Sequence, residues 1–146
     1  MKILIINGPN LNILGRRNKA HYGDKTLPQI EALLNKEAKG LGIDIAHYQS
    51  NSESELIDFI QKNSSVAAGI IINPGALTHY GLSLRDALAD TGLPVIEVHL
   101  SNIYAREEWR AKSVVAPIAM GQLSGFGWQG YITALQILAG KLKVEK

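Results

Sequence analysis

Four aliphatic residues in a row, Ile3 to Ile6, stop abruptly at Asn7, Gly8, Pro9 and Asn10. A run that is apolar at every position predicts a strand covered on both faces, as in the middle of a parallel sheet. Further strands are predicted at Ile43 to Tyr48, Val66 to Ile72 and Pro94 to Val98, the last of which places His99 at its tip. Ala116 to Leu123 is the fifth, interrupted by Gly121. Between the strands the apolar period lengthens to that of a helix. Ile30, Leu33, Leu34, Ala38 and Leu41 mark one helix with a polar intruder, Glu37, ending near Gly40 to Gly42, and Leu56, Ile57, Phe59 and Ile60 mark a second. A third carries Leu84, Arg85, Asp86 and Leu88, and a short charged helix is expected within Asn102 to Arg110. Tyr131, Leu135, Leu138 and Leu142 line one side of a last helix, from Trp128 to Leu142. Thr26 with Gln29, and Ser52 with Glu55, have the spacing of capping boxes, and Pro28 is tolerated in a first turn.

Strands alternating with helices imply an α/β fold, a parallel sheet with right-handed crossovers and helices on both faces. Five strands suggest the flavodoxin-like, doubly wound order 2-1-3-4-5, in which strands one, three and four lie side by side. Ligands of such sheets bind beyond the carboxyl ends of the strands, so the polar residues that follow these three strands are the candidates for function. No repeat, low-complexity stretch or linker interrupts the pattern. The 146 residues suffice for one full core, and a single domain over residues 1–146 is expected.

Composition narrows the class. With 46% hydrophobic and 19% charged residues the chain is that of an ordinary globular protein, and a net charge of +2 without a basic run gives no reason to expect nucleic acid. The absence of cysteine excludes a disulfide framework and thiolate chemistry. No apolar stretch reaches membrane-spanning length and the N-terminus lacks the pattern of a signal peptide, so the expectation is a cytoplasmic protein without membrane contact.

The tip of strand one brings Asn10, Arg17 and Tyr22, that of strand three Asn73 and His79, and that of strand four Glu97, His99, Leu100 and Ser101. Glu97 and His99 are two apart on a strand and share a face, so the carboxylate can fix the imidazole tautomer and raise its proton affinity. That histidine suits the role of an acid. Tyr22 follows Arg17 by five residues in a loop expected to lack secondary structure, the kind that often serves as a lid. A phenol titrates near pH ~10, but a guanidinium within a few ångströms favours the phenolate, which can abstract a proton. The bland alternative is a packed ring beside a solvated arginine.

Arg106 and Arg110, four apart, would share a helical face, with Leu100 and Ser101 offering backbone N–H groups to a small anion. Alternatively Glu107 or Glu108 pairs with these arginines, the more readily with Arg106, on a solvated face. Asp86 could equally be an ion-pair partner of Arg85, and Asn7 and Asn10 simple turn formers. No phosphate loop and no GxGxxG follows strand one, the four histidines lack metal-ligand spacing, and no lysine lies within an apolar strand, where an imine-forming amine would need to be. Acid, base and oriented amides remain. They suit proton abstraction beside a carbonyl followed by loss of water. Competing readings of the scaffold are a binding or signalling module, which would need a flavin phosphate loop or an acidic phosphoacceptor cluster, and a different hydroxy-acid dehydratase or isomerase using Tyr22 and His99.

The chain resembles the type II 3-dehydroquinate dehydratases of the shikimate pathway of aromatic amino-acid biosynthesis, in some organisms of the quinate pathway. The resemblance runs nearly end to end. It rests on Asn-Gly-Pro-Asn-Leu from Asn7, Leu-Gly-Arg-Arg ahead of Tyr22-Gly23, Gln49 to Glu53, Asn-Pro-Gly-Ala from Asn73 with Thr78-His79, Leu-Arg-Asp-Ala from Leu84, Glu-Val-His-Leu-Ser-Asn from Glu97 and Ala-Arg-Glu-Glu-Trp-Arg from Ala105. It implies an anti elimination of water from 3-dehydroquinate to 3-dehydroshikimate through an enolate, without metal or cofactor. Tyr22 would be the base, helped by Arg17, Asn10 would hold a water at the enolate oxygen, and His99, oriented by Glu97, would be the acid. Asn73, Leu100 and Ser101 would hold the carboxylate, and His79 and Arg110 the ring hydroxyls. Asp86 would come from a neighbouring subunit of a homododecamer built as a tetramer of trimers. Two features depart from the usual pattern: Asn18 and Lys19 follow the arginine where an acidic residue and proline are common, and Leu77 stands where tyrosine is common.

Overall fold

Ile3 to Ile6 are fully buried, as a run without polar relief requires. In a computed structural model describing residues 1–145 they lie in β1 (Lys2–Asn7), and β2 (Asp44–Gln49), β3 (Gly69–Asn73), β4 (Val95–His99) and β5 (Gly121–Ser124) complete one parallel sheet. Its order is β2-β1-β3-β4-β5, the expected one. The helices are α1 (Lys19–Tyr22), α2 (Leu27–Leu41), α3 (Glu53–Asn63), α4 (Leu82–Asp90) and α5 (Gln129–Val144). Alternation along the strands divides the core in two. Ile3, Ile5, Ile71, Ile96 and Val98 pack against α2 and α5, while Leu4, Ile6, Ile70, Ile72 and Val95 pack against α3 and α4.

Local signals set several boundaries. Thr26 and Gln29 form the reciprocal capping box, with Thr26 Oγ1 accepting the Gln29 N–H at 3.4 Å and Gln29 Oε1 the Thr26 N–H at 2.8 Å. The box at Ser52 is only half made. Ser52 Oγ accepts the Glu55 N–H at 3.4 Å, but the Glu55 carboxylate takes the Ser50 hydroxyl, whose oxygen accepts the Ser52 N–H at 3.0 Å. Glu53, the first residue of α3, instead caps α4, accepting the Leu84 N–H at 3.0 Å.

Other boundaries depart from expectation. The fifth strand is four residues long, because Ala116–Ile118 makes a 3-10 turn around Pro117, which has no N–H to give to a ladder, and pairing resumes where Met120 N–H meets Val95 O at 2.7 Å. Ser64–Val66 is also a 3-10 turn, so β3 begins at Gly69 and Val66 lies exposed. The charged stretch after β4 is two 3-10 turns, Ile103–Ala105 and Glu108–Ala111, separated by extended backbone at Arg106. The stretch expected as an unstructured loop holds a 3-10 segment, Leu11–Arg16, and then α1, whose N-cap Asn18 accepts the Ala20 N–H at 2.8 Å. No helix among the described residues is long and apolar enough to cross a membrane.

Candidate active site

β1 and β3 are neighbours whose onward connections run to opposite sides of the sheet, and a crevice opens at such a switch point. Their tips touch backbone to backbone. Gly8 N–H donates to Asn73 O at 2.8 Å, and a Cβ on Gly8 would fall 2.3 Å from Pro74 O. Asn10 adopts a left-handed conformation, φ 71°, tied by its N–H to Asn51 Oδ1 at 3.0 Å. Beyond these tips lies a cavity of about 130 Å³. Asn10, Arg17, Tyr22, Asn73, His79, His99, Leu100, Ser101 and Arg110 all line it.

On the lid side, Arg17 lies 3.8 Å from the Tyr22 ring centroid and donates from Nη2 to the Tyr22 oxygen at 2.8 Å. Arg106 adds a second donor from Nη1 at 3.0 Å and binds Ser101 Oγ at 3.0 Å. Burial pushes the Arg17 guanidinium below its ordinary value, Tyr22 opposes that shift, and the Arg106 and Arg110 charges add to it. The cavity is therefore strongly cationic, a setting for an anionic ligand.

At the tip of β4, Glu97 is fully buried and its carboxylate takes the Nε2 side of His99. An ionised carboxylate only accepts, so the Nε2 proton stays there and Nδ1 is the ring nitrogen free to exchange a proton. Thr78 Oγ1 donates to Glu97 at 2.6 Å, Ser113 Oγ at 2.8 Å and Gln122 Nε2 at 3.0 Å. Burial alone would raise the Glu97 carboxyl, but the hydrogen bond and charge of His99, with the Thr78 and Ser113 hydroxyls, hold it below the usual carboxylate value. His79 donates from Nδ1 to Lys112 O at 2.7 Å, leaving Nε2 for a ligand, and its ring meets Trp109 edge-on.

Not every expectation of placement holds. Arg106 and Arg110 share no helix, yet extended backbone at Arg106 still sends both to the cavity. Glu107 pairs with Arg110 at 2.6 Å rather than with Arg106, and that hydrogen bond lowers its carboxyl. Asp86 is exposed, lies outside the cavity of its own chain and pairs with Arg85 at 2.9 Å. Thr78, Ser113 and Gln122, which hold Glu97, were not legible as site residues, because only the fold brings them to it.

These features define an α/β protein of flavodoxin-like topology equipped for acid–base chemistry on a small anion. A model of the family Dehydroquinase class II matches residues 1–139. A 3-dehydroquinate dehydratase from Roseiflexus castenholzii is 57% identical over 140 residues, 96% of this chain and 89% of that protein. One from Halothermothrix orenii is 50% identical over 142 residues, 97% of this chain and 96% of that protein. The crystal structure of a type II dehydroquinase from Butyrivibrio crossotus superposes with a TM-score of 0.92 at 47% identity, covering 94% of this chain and 97% of that one. The chain belongs to the class II dehydroquinase family, whose members are hydro-lyases.

Proposed function

We propose that this chain is a 3-dehydroquinate dehydratase, a single-domain cytoplasmic enzyme of the shikimate pathway that eliminates water anti through an enolate, with Tyr22 as base and His99 as acid. The observation that carries the reading is the Tyr22 oxygen receiving two guanidinium N–H groups on the wall of a cavity that His99 also lines. Two cationic donors at one phenolic oxygen stabilise its negative charge, which prepares it to take a proton at C2. The C2–H electrons move toward the C3 ketone, and the enolate oxygen meets a water held by Asn10, where oriented donors contribute several kcal/mol. The electrons return as C1=C2 forms and the C1 oxygen departs with a proton from His99. Glu97 stabilises the imidazolium before that transfer and keeps the ring in place.

The remaining residues hold the substrate. Asn73, Leu100 and Ser101 take the carboxylate, which the cationic cavity favours, and His79 and Arg110 take ring hydroxyls. Asp86, exposed and outside its own chain's cavity, serves the cavity of a neighbouring subunit in a homododecamer. The test is to incubate the purified protein with 3-dehydroquinate and follow the ultraviolet absorbance of the conjugated enone. A rise at enzymatic rate is expected; no rise refutes the reading. Sedimentation or light scattering tests the assembly, which a monomeric active form would contradict.

A further inference from the structure

Tyr131, in the first turn of α5, is fully buried, and by periodicity it is simply one of the apolar positions facing the sheet. Its hydroxyl nevertheless reaches the two strand tips beneath the cavity. Asn7 and Asn73 are register partners on β1 and β3, and both side chains meet Tyr131 on the α2/α5 side. Asn73 Nδ2 lies 2.9 Å from the Tyr131 oxygen, and the Tyr131 oxygen lies 2.6 Å from Asn7 Oδ1.

The direction of every bond in this chain follows from one fixed donor. Gly75 N–H can only donate, and it meets Asn73 Oδ1 at 3.1 Å, so the other end of that amide is the NH2 group. Asn73 Nδ2 therefore donates to Tyr131, whose own proton must go to Asn7 Oδ1. Burial pushes the Tyr131 hydroxyl up, so it stays protonated and remains a donor. Both Asn73 polar atoms are thus engaged within the protein, Oδ1 by the Gly75 turn and Nδ2 by Tyr131 beneath, and one N–H of Nδ2 is left on a residue that forms part of the cavity wall.

We propose that Tyr131 is a positioning residue, its hydroxyl locking the Asn73 carboxamide so that this remaining N–H is presented to the substrate carboxylate. The proposal rests on the preceding reading, in which Asn73 holds that carboxylate. A hydrogen bond that must meet an anion is sensitive to aim, and a rigid phenol anchored by the core supplies that aim where a mobile side chain would not.

The test compares wild type with Tyr131→Phe, in enone kinetics and in calorimetric titration with quinate, the same ring carboxylate bearing a hydroxyl in place of the ketone. Because the contact is made before and during the reaction alike, KM and the quinate Kd are expected to rise about tenfold while kcat stays within about threefold. Leu142→Ala, on the same helix but away from this network, is expected to lower the melting temperature and leave KM and Kd unchanged. Asn7→Ala, which removes the acceptor of the Tyr131 proton, repeats the test should Tyr131→Phe not fold, with a smaller rise expected. Unchanged KM and Kd in Tyr131→Phe, or an equal rise in Leu142→Ala, overturns the positioning role while the activity stands. If wild type forms no enone the activity reading fails, and the quinate comparison alone decides: weaker binding by Tyr131→Phe supports the role, and equal binding or none by wild type overturns it.

Discussion

The two faces of the sheet end in two different polar networks. On the α3/α4 side β4 delivers Glu97 and His99, an ionisable pair set among the Thr78 and Ser113 hydroxyls and the Gln122 amide. On the α2/α5 side β1 and β3 deliver Asn7 and Asn73, neutral amides joined by a phenol. Glu97 and Tyr131 are both fully buried, but only the first network pairs a carboxylate with an imidazole, while the second keeps its phenol protonated. Burial therefore has opposite uses on the two sides. Around Glu97 it concentrates an electrostatic effect on one imidazole, and around Tyr131 it suppresses ionisation so that the hydrogen-bond direction never reverses.

This contrast breaks most visibly at groups that give or take a proton. Tyr22→Phe is expected to lower kcat about a thousandfold, and Arg17→Ala by a similar order, with circular dichroism unchanged. Near-normal turnover in either variant would remove the proposed roles. Glu97→Gln, which keeps shape but not charge, is expected to cost roughly a hundredfold in kcat with a smaller change in KM, the reverse of the split expected at Tyr131. A fall in KM-derived binding without loss of kcat in Glu97→Gln would erase the distinction between the networks.

Stability sharpens the same comparison at lower amplitude. The folded-state Glu97 carboxyl titrates below its ordinary value of 4.5, so its contribution is complete above that value and is lost as pH falls through the lower folded one. The melting temperature of wild type should therefore drop faster below pH 4.5 than that of Glu97→Gln, whereas Tyr131→Phe should parallel wild type across this range. Parallel curves for wild type and Glu97→Gln would contradict the assignment. The smallest effect belongs to the pair Glu107–Arg110, whose carboxylate is exposed: Glu107→Gln should shift the denaturant midpoint only slightly, and less still in high salt. A change several times larger in denaturant unfolding would show that this pair is structural.

Much of the architecture was readable from patterning. Ile3 to Ile6 demanded burial on both faces, and alternating strands and helices left few topologies, so the order of the sheet and the convergence of the tips of β1, β3 and β4 followed. The misread boundaries have local causes. Val66 looks like strand but sits in a turn, and Pro117 cannot join a ladder, so hydrophobicity alone extended two strands too far. The half-made box at Ser52 reflects competition, because the Ser50 hydroxyl offers the Glu55 carboxylate a partner that spacing does not reveal.

The site divides in the same way. Glu97 and His99 were legible because two positions on one strand share a face, a rule that needs no tertiary information. Arg17 and Tyr22 could be named together but not placed together until α1 formed around its Asn18 cap and carried the phenol to the guanidinium. Arg106 was weighed as one of a helical pair, whereas extended backbone at that residue turns it onto Tyr22.

By itself, then, the order of residues determined which segments are strands and helices in outline, how the sheet is wound and which polar groups stand at its carboxyl edge, since these depend on near-neighbour periodicity and steric handedness. Only the tertiary structure decided which of those groups touch: that Arg106 joins Arg17 at one oxygen, that Ser113 and Gln122 secure Glu97, and that a core tyrosine 58 positions away from Asn73 reaches its amide. Hydrogen bonds act over about 3 Å and across any distance in sequence, so their partners are set by packing and not by spacing along the chain.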